Sequence, residues 1–219
     1  MKYQFLWFFP FITTFFLIAQ MGFGQSNAHQ WKLVSQEGNI QVFTRKSDKS
    51  DFKEVRILAK LEVEMGAFIE VLNDVPSYDD WVYKCQNSRK VKTLGANESY
   101  YYVQSNLPFP LSDRDLVVHS KQWYGEDGIS YHTHSVAAPE MIEEKKGLVR
   151  MHYYESFWDI YENKDGSLSI EYKVFADPGG YLPVWMVNMV VTQGPLETIK
   201  NLEKFVIERT VLAAKYGGR

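Results

Sequence analysis

Three histidines are the residues in this chain best spaced to do chemistry. Residues 115–124 and 128–138 alternate like the arms of a hairpin around Gly125-Glu126-Asp127-Gly128. A two-residue turn there would pair Gly125 with Gly128 and set His119 opposite His134. His132 would then lie two residues along on the same face. Three imidazoles within reach could bind zinc and leave a fourth position open for water. No aspartate or glutamate is obviously placed to orient the rings, so a solvated strand face is the favoured reading and no metal is expected. Nucleophilic catalysis has less support. The chain has no Gly-x-Ser-x-Gly elbow. Cys85, the single cysteine, has no histidine close to it in sequence and is expected to be a small semi-buried residue. One cysteine also excludes an intramolecular disulfide.

Composition restricts the alternatives. The 219 residues are 45% hydrophobic and 16% aromatic, which fits one globular domain with a large apolar interior or pocket. A net charge of -3 offers no basic surface for nucleic acid. The N-terminus reads as an export signal: Lys2, an apolar run over residues 5–19, and Gly22 and Gly24 before Gln25. Cleavage after Gly24 would leave a domain of residues 25–219 in the periplasm or secreted. The alternative is an uncleaved membrane anchor, since the run approaches the roughly 20 residues that span a bilayer.

The elements that must position any site follow from periodicity. Strands are expected over 39–45 and 52–63; in the second, Val55, Ile57, Ala59, Leu61 and Val63 share one face while Glu54, Arg56, Lys60 and Glu62 share the other. A helix follows around Phe68–Leu72, and residues 76–81 are a loop or short helical turn. Three hairpins come next, over 87–94 with 98–107, 115–124 with 128–138, and 148–161 with 167–176. Leu196, Ile199, Leu202, Phe205, Val206 and Leu212 then recur at helical spacing, with Gly194-Pro195 expected to kink or divide that helix. The order is α+β, most simply one curved antiparallel sheet wrapped around a long C-terminal helix. Between two strands, Pro108 and Pro110 end the first. Phe109 is expected to anchor the turn, Ser112 and Asp113 to shape it, and Arg114 to hold carbonyls or a carboxylate at the corner.

Four segments carry a family resemblance: "VLNDVPSYDDW" at 71–81, "LPFPLSDRDLV" at 107–117, "GLVRMHYYESFWDIY" at 147–161 and "VFADPGGYLPVWMVN" at 174–188. In this order they resemble the START (StAR-related lipid transfer) domains over nearly all of residues 31–215. The resemblance implies a helix-grip fold: the sheet curls around the last helix and leaves an internal hydrophobic cavity for one lipid or sterol-like molecule. It implies no shared catalytic residues and no cofactor. It also places residues 136–147 as an Ω-loop that gates the cavity with the C-terminal helix. Trp185, Met186 and Met189 would be adaptable apolar contacts at the start of that helix, with Tyr102 and Tyr172 as further ligand-binding candidates. Among arginines on or beside strands (Arg56, Arg89, Arg114, Arg150), Arg150 is the leading candidate for a tunnel-side or gate-side role, because it opens the strand after the Ω-loop. Arg56 and Glu171 are weaker, since alternation puts them opposite the apolar faces. A buried guanidinium would need an acidic partner or water. The expected function is binding and transfer of a hydrophobic molecule by a monomer, with transient contact at a membrane surface. The alternatives are a helix-grip cyclase or hydrolase, with Tyr100, Tyr102, His119 or Glu171 as acid or base, and a ligand-free interaction module.

Overall fold

The computed structural model describes residues 30–48, 52–180, 182 and 184–216, with the side chains of 184–192 outside that description. The export signal, Pro183 and the side chains of Trp185, Met186 and Met189 therefore lie outside the described residues. Ten strands form one sheet: β1 (Lys32–Glu37), β2 (Ile40–Lys46), β3 (Lys53–Leu61), β4 (Cys85–Gly95), β5 (Glu98–Ser105), β6 (Arg114–Tyr124), β7 (Ser130–Ala137), β8 (Val149–Arg150), β9 (Tyr153–Glu162) and β10 (Leu168–Asp177). Helix α1 (Met65–Asn73) and the short α2 (Tyr78–Trp81) separate β3 from β4, and α3 (Val184–Tyr216) ends the fold. The strand order is β1-β2-β3-β10-β9-β7-β6-β5-β4, antiparallel throughout except that β8 pairs in parallel with β6. The sheet is curved around α3, as the helix-grip reading expects.

Strict alternation explains why the sheet has an inner and an outer face. In β3, Val55, Ile57, Ala59 and Leu61 are buried, while Arg56 and Lys60 face out. The inner faces of β2, β3, β9 and β10 close on α1 and on the second half of α3. There Phe68, Ile160, Leu168, Ile199, Leu202 and Val206 form a filled core. Each such side chain contributes about 1.5–3 kcal/mol by leaving water. The other half of the sheet, β4 to β7, is not filled in this way, and the cavity lies there.

Three sequence expectations are corrected. Strand β1 was not legible, because five of its six residues are exposed and backbone pairing with β2 at the sheet edge leaves no buried face to read. The stretch 148–161 is not one strand: β8 pairs with β6, and β9 starts afresh at Tyr153. Of the kink or division expected at Gly194-Pro195, the division does not occur: helix α3 runs through both residues. Gly194 packs closely there: a Cβ would stand 3.3 Å from the Tyr83 ring, a tight contact. Thr198 Oγ1, one turn on, accepts a hydrogen bond from the Tyr83 backbone N–H at 3.1 Å.

The hairpin joining β6 and β7 also differs in register. Asp127 accepts hydrogen bonds from the backbone N–H groups of Ile129 and Ser130 and from the Ser130 hydroxyl, which lengthens the turn. His119 consequently faces Val136, while His134 faces Lys121 and His132 faces Trp123. The three rings share the outer face but are not gathered. Each pairs with its own carboxylate: His119 with Glu98 at 2.6 Å, His132 with Asp159 at 2.8 Å, and His134 with Glu155 at 3.1 Å. No group of three metal-ligating side chains occurs among the described residues.

Candidate ligand cavity

A cavity of about 350 Å³ lies between the inner face of β4–β7, β9 and β10, the segment running from the end of α1 through α2 to Tyr83, and α3 at Gly194, Pro195 and Thr198. This volume is at the lower end of the range for small-molecule sites. Apolar wall comes from Val55, Leu72, Val103, Leu116, Val118 and Val174, and aromatic wall from Tyr78, Trp81, Tyr101, Tyr154, Trp158 and Tyr172. Trp158 and Tyr172 stack at 4.2 Å, and Tyr78 meets Trp81 and Tyr101 edge-on at 4.9 and 5.8 Å.

Hydroxyls are prominent among the polar groups of the lining. Ser135 Oγ donates to Ser120 Oγ at 2.9 Å, and Tyr154 Oη donates to Ser156 Oγ at 2.9 Å. The Tyr172 phenol neighbours that of Tyr154, and Ser135 neighbours Tyr101, near enough in each case to affect phenol ionisation. Burial pushes all four phenols, Tyr78, Tyr101, Tyr154 and Tyr172, above the usual tyrosine range, so they remain neutral. None of these serines was singled out from sequence, nor were Tyr101 and Tyr154. The available signal was alternation: in β7, Thr133 and Ser135 lie on the opposite face from His132 and His134.

The sequence candidates are distributed as follows. Tyr172 stands in the cavity wall. Arg56 and Glu171 do not: they form an ion pair with each other on the outer face, so simple alternation decides against a tunnel role. Tyr102 is fully buried but points away from Tyr101 and the cavity, beneath the Arg89 guanidinium and the Lys145 ammonium. Burial, followed by the neighbouring Asp115, pushes its phenol up to about 12. Tyr100 and His119 stack on each other on the outer face. All four acid–base candidates thus point away from the cavity.

Arg150 is also not a cavity residue. It is 4% exposed and binds Asp115 through two bonds, Nε to Oδ1 at 2.8 Å and Nη2 to Oδ2 at 3.0 Å. Its remaining protons go to the carbonyls of Pro139, Ile142 and Glu143 at 2.6, 3.0 and 3.2 Å. The buried ion pair therefore fixes the Ω-loop from within, and no residue of 136–147 stands in the cavity wall. Arg114 holds a different joint. It donates to the carbonyls of Ser112, Pro178 and Gly179, tying the loop before β6 to the turn before α3. That turn has Gly179 and Gly180 both at φ +63°, where a side chain would be strained. Asp113 completes the corner by accepting from the Leu107 N–H at 2.9 Å. Phe109 anchors nothing: it is 96% exposed at the tip of this loop.

The START domain profile matches residues 21–210. The chain belongs to the START domain family. Among relatives of this START domain, the phosphatidylcholine transfer protein of Mus musculus is 29% identical over 183 residues, covering 80% of this chain and 82% of that protein. An uncharacterized protein of Pseudomonas aeruginosa is 27% identical over 186 residues, covering 85% of this chain and 91% of its own length. The crystal structure of a STAR-related lipid transfer protein fragment from Xanthomonas axonopodis superimposes with a TM-score of 0.74 at 27% identity, covering 80% of this chain and 98% of that one.

Cys85 of this START domain is half-buried beside Asp79, with its Sγ 3.2 Å from Oδ1. Burial, then the Asp79 hydrogen bond, pushes its thiol up to about 12. Alkylation by iodoacetamide at pH 8 is therefore expected to run at least about 100-fold slower than for an ordinary cysteine of pKa ~8.5. Denaturant should restore the ordinary rate. Rapid labelling of the native protein would show that this environment does not form in solution.

Proposed function

We propose that this START domain binds one lipid or other hydrophobic molecule in the cavity of β4–β7, β9 and β10 and transfers it between membranes, without chemical change. The observation that carries the reading is the cavity itself: an aromatic and apolar wall with neutral hydroxyls inside, on the half of the sheet that the core does not fill. Relatives named as lipid transfer proteins support the same conclusion. Affinity would come from apolar burial at about 25 cal/mol per Å² of ligand surface. Exchange would require movement of the turns of α3 before Gly194, with Arg114 and the 178–180 turn as the joint and loop 136–147 moving as the unit that Arg150 clamps.

Phe109 is the group best placed to meet a membrane, since it projects beside that joint and no protein surface covers it. The protein acts as an exported monomer, with its N-terminal segment cleaved after Gly24. Organic extraction of protein purified from its native host, followed by mass spectrometry, should recover hydrophobic molecules in near-stoichiometric amount. Repeated preparations that carry none, together with no transfer between vesicles, would overturn the reading. Phe109→Ser should lower the transfer rate about 10- to 100-fold, the equivalent of one phenyl group's burial, and leave ligand occupancy unchanged. Unchanged transfer would remove Phe109 from the membrane contact.

A further inference from the structure

Four adjacent strands place a serine at one level of the cavity. Ser156 of β9 is the register partner of Ser135 in β7, Ser135 of Ser120 in β6, and Ser120 of Ser99 in β5. All four border the cavity. Such a row is not demanded by the sheet, since the same level continues into the apolar cavity residues Val174 and Val55. Each serine removes bulk from the floor and supplies one donor and two acceptor positions. Tyr154 and Tyr101 extend the row on one side, through the contacts to Ser156 and Ser135 described above.

The charges that border the cavity stand off the row itself, either exposed at the surface or bonded to other groups. Lys53 and Lys90 border the cavity from exposed positions. Glu98 is held by His119 and Lys121. Asp115 is neutralised by Arg150, and Arg114 is spent on three backbone carbonyls. The opening of α3, residues 183–192 (PVWMVNMVVT), contains no ionisable side chain. Among the described residues, then, the row itself offers neutral dipoles and contains no ionised side chain. An anionic group carried to the floor would lose its water without gaining an ion partner, whereas a hydroxyl, ester or amide would exchange water for protein hydroxyls.

We propose that the serine row selects lipids whose buried polar end is uncharged, such as a glycerol hydroxyl, ester, amide or ring hydroxyl, and rejects phosphomonoester and carboxylate ends. The proposal rests on the reading of this cavity as a lipid site.

Trp81 and Trp158 in the wall provide the readout by fluorescence. Delipidated full-length protein is titrated with monooleoylglycerol, with the lysophosphatidate that differs from it by one phosphate, and with dioleoylphosphatidylcholine. Monooleoylglycerol should bind at least about tenfold tighter than lysophosphatidate, a difference of ~1.4 kcal/mol. Ser120→Lys places an ammonium in the row and should reverse that order. Should this variant fail to fold, Ser120→Ala decides the point, with a three- to tenfold loss for monooleoylglycerol and no change for the neutral dye Nile red, which needs no hydroxyl partner.

Equal or tighter lysophosphatidate binding by the unmodified protein overturns the proposal, as does an unchanged affinity in Ser120→Ala. Binding of phosphatidylcholine without monooleoylglycerol overturns it while leaving the lipid-transfer reading in place. Failure of all three lipids to bind, with nothing extracted from native protein, overturns both.

Discussion

Arg150→Ala is expected to destabilise the protein by about 3–5 kcal/mol, the usual cost of leaving one member of a buried ion pair alone. Both side chains of the Arg150–Asp115 pair are 1% exposed, so the Asp115 carboxylate would remain in a site that water hardly reaches. In a domain of this length 1 kcal/mol corresponds to roughly 2–4 °C, and calorimetry should show a fall in Tm on the order of 10 °C. The same substitution removes every side-chain bond to the carbonyls of Pro139, Ile142 and Glu143. Amide exchange across 139–147 should therefore accelerate before the rest of the sheet responds. Arg150→Met combined with Asp115→Leu should recover a large part of the lost Tm, because no unpaired charge is left behind, but it should not restore loop protection. A shift below about 3 °C in Arg150→Ala would mean that water reaches the pair in solution.

Alkali should unfold the protein over a narrow pH range. Tyr78, Tyr101, Tyr154 and Tyr172 all have phenols raised above their unfolded value of about 10, chiefly by burial. A raised folded pKa means that the folded state keeps protons which the unfolded chain releases. Its contribution is fully present below pH ~10 and is lost as pH rises toward the folded values. Each such phenol removes about 1.4 kcal/mol of stability per pH unit in that window, and four together about 5–6 kcal/mol. Against a total stability of ~5–15 kcal/mol, the fold should fail within one to three units above pH ~10. The buried phenols should ionise in one cooperative step in phenolate absorbance that coincides with loss of circular dichroism. A single smooth titration with the secondary structure retained would contradict the buried-tyrosine arrangement.

The histidine hairpin shows how far sequence reasoning reaches. A turn assumed to be two residues long misplaces the register by two, and His119 meets Val136 instead of His134. The face survives that error, because side chains alternate with period two and a two-residue slip returns each to the same side. The same parity placed Arg56 and Glu171 outside, and it made the strand core of β3 and β10 legible. It could not reveal β1, which has no buried face, or the break between β8 and β9, where both neighbouring stretches are rich in apolar residues.

The site was less legible than the fold. Tyr101 and Tyr102 are adjacent and chemically identical, yet one lines the cavity and the other lies under Arg89 and Lys145. Arg114 was legible as a corner residue, whereas the partners of Arg150 were not: Arg150 seals the Ω-loop, and Arg114 joins the corner to the approach of α3. The chain by itself determined the α+β order, the alternating faces and the START resemblance, because these depend on local period and on short contiguous motifs. Only the tertiary structure decided which residues share a level across four strands and which charges are already paired. A serine in β5 becomes part of one floor with serines in β6, β7 and β9 only once three long-range registers are set, and no local preference encodes those registers.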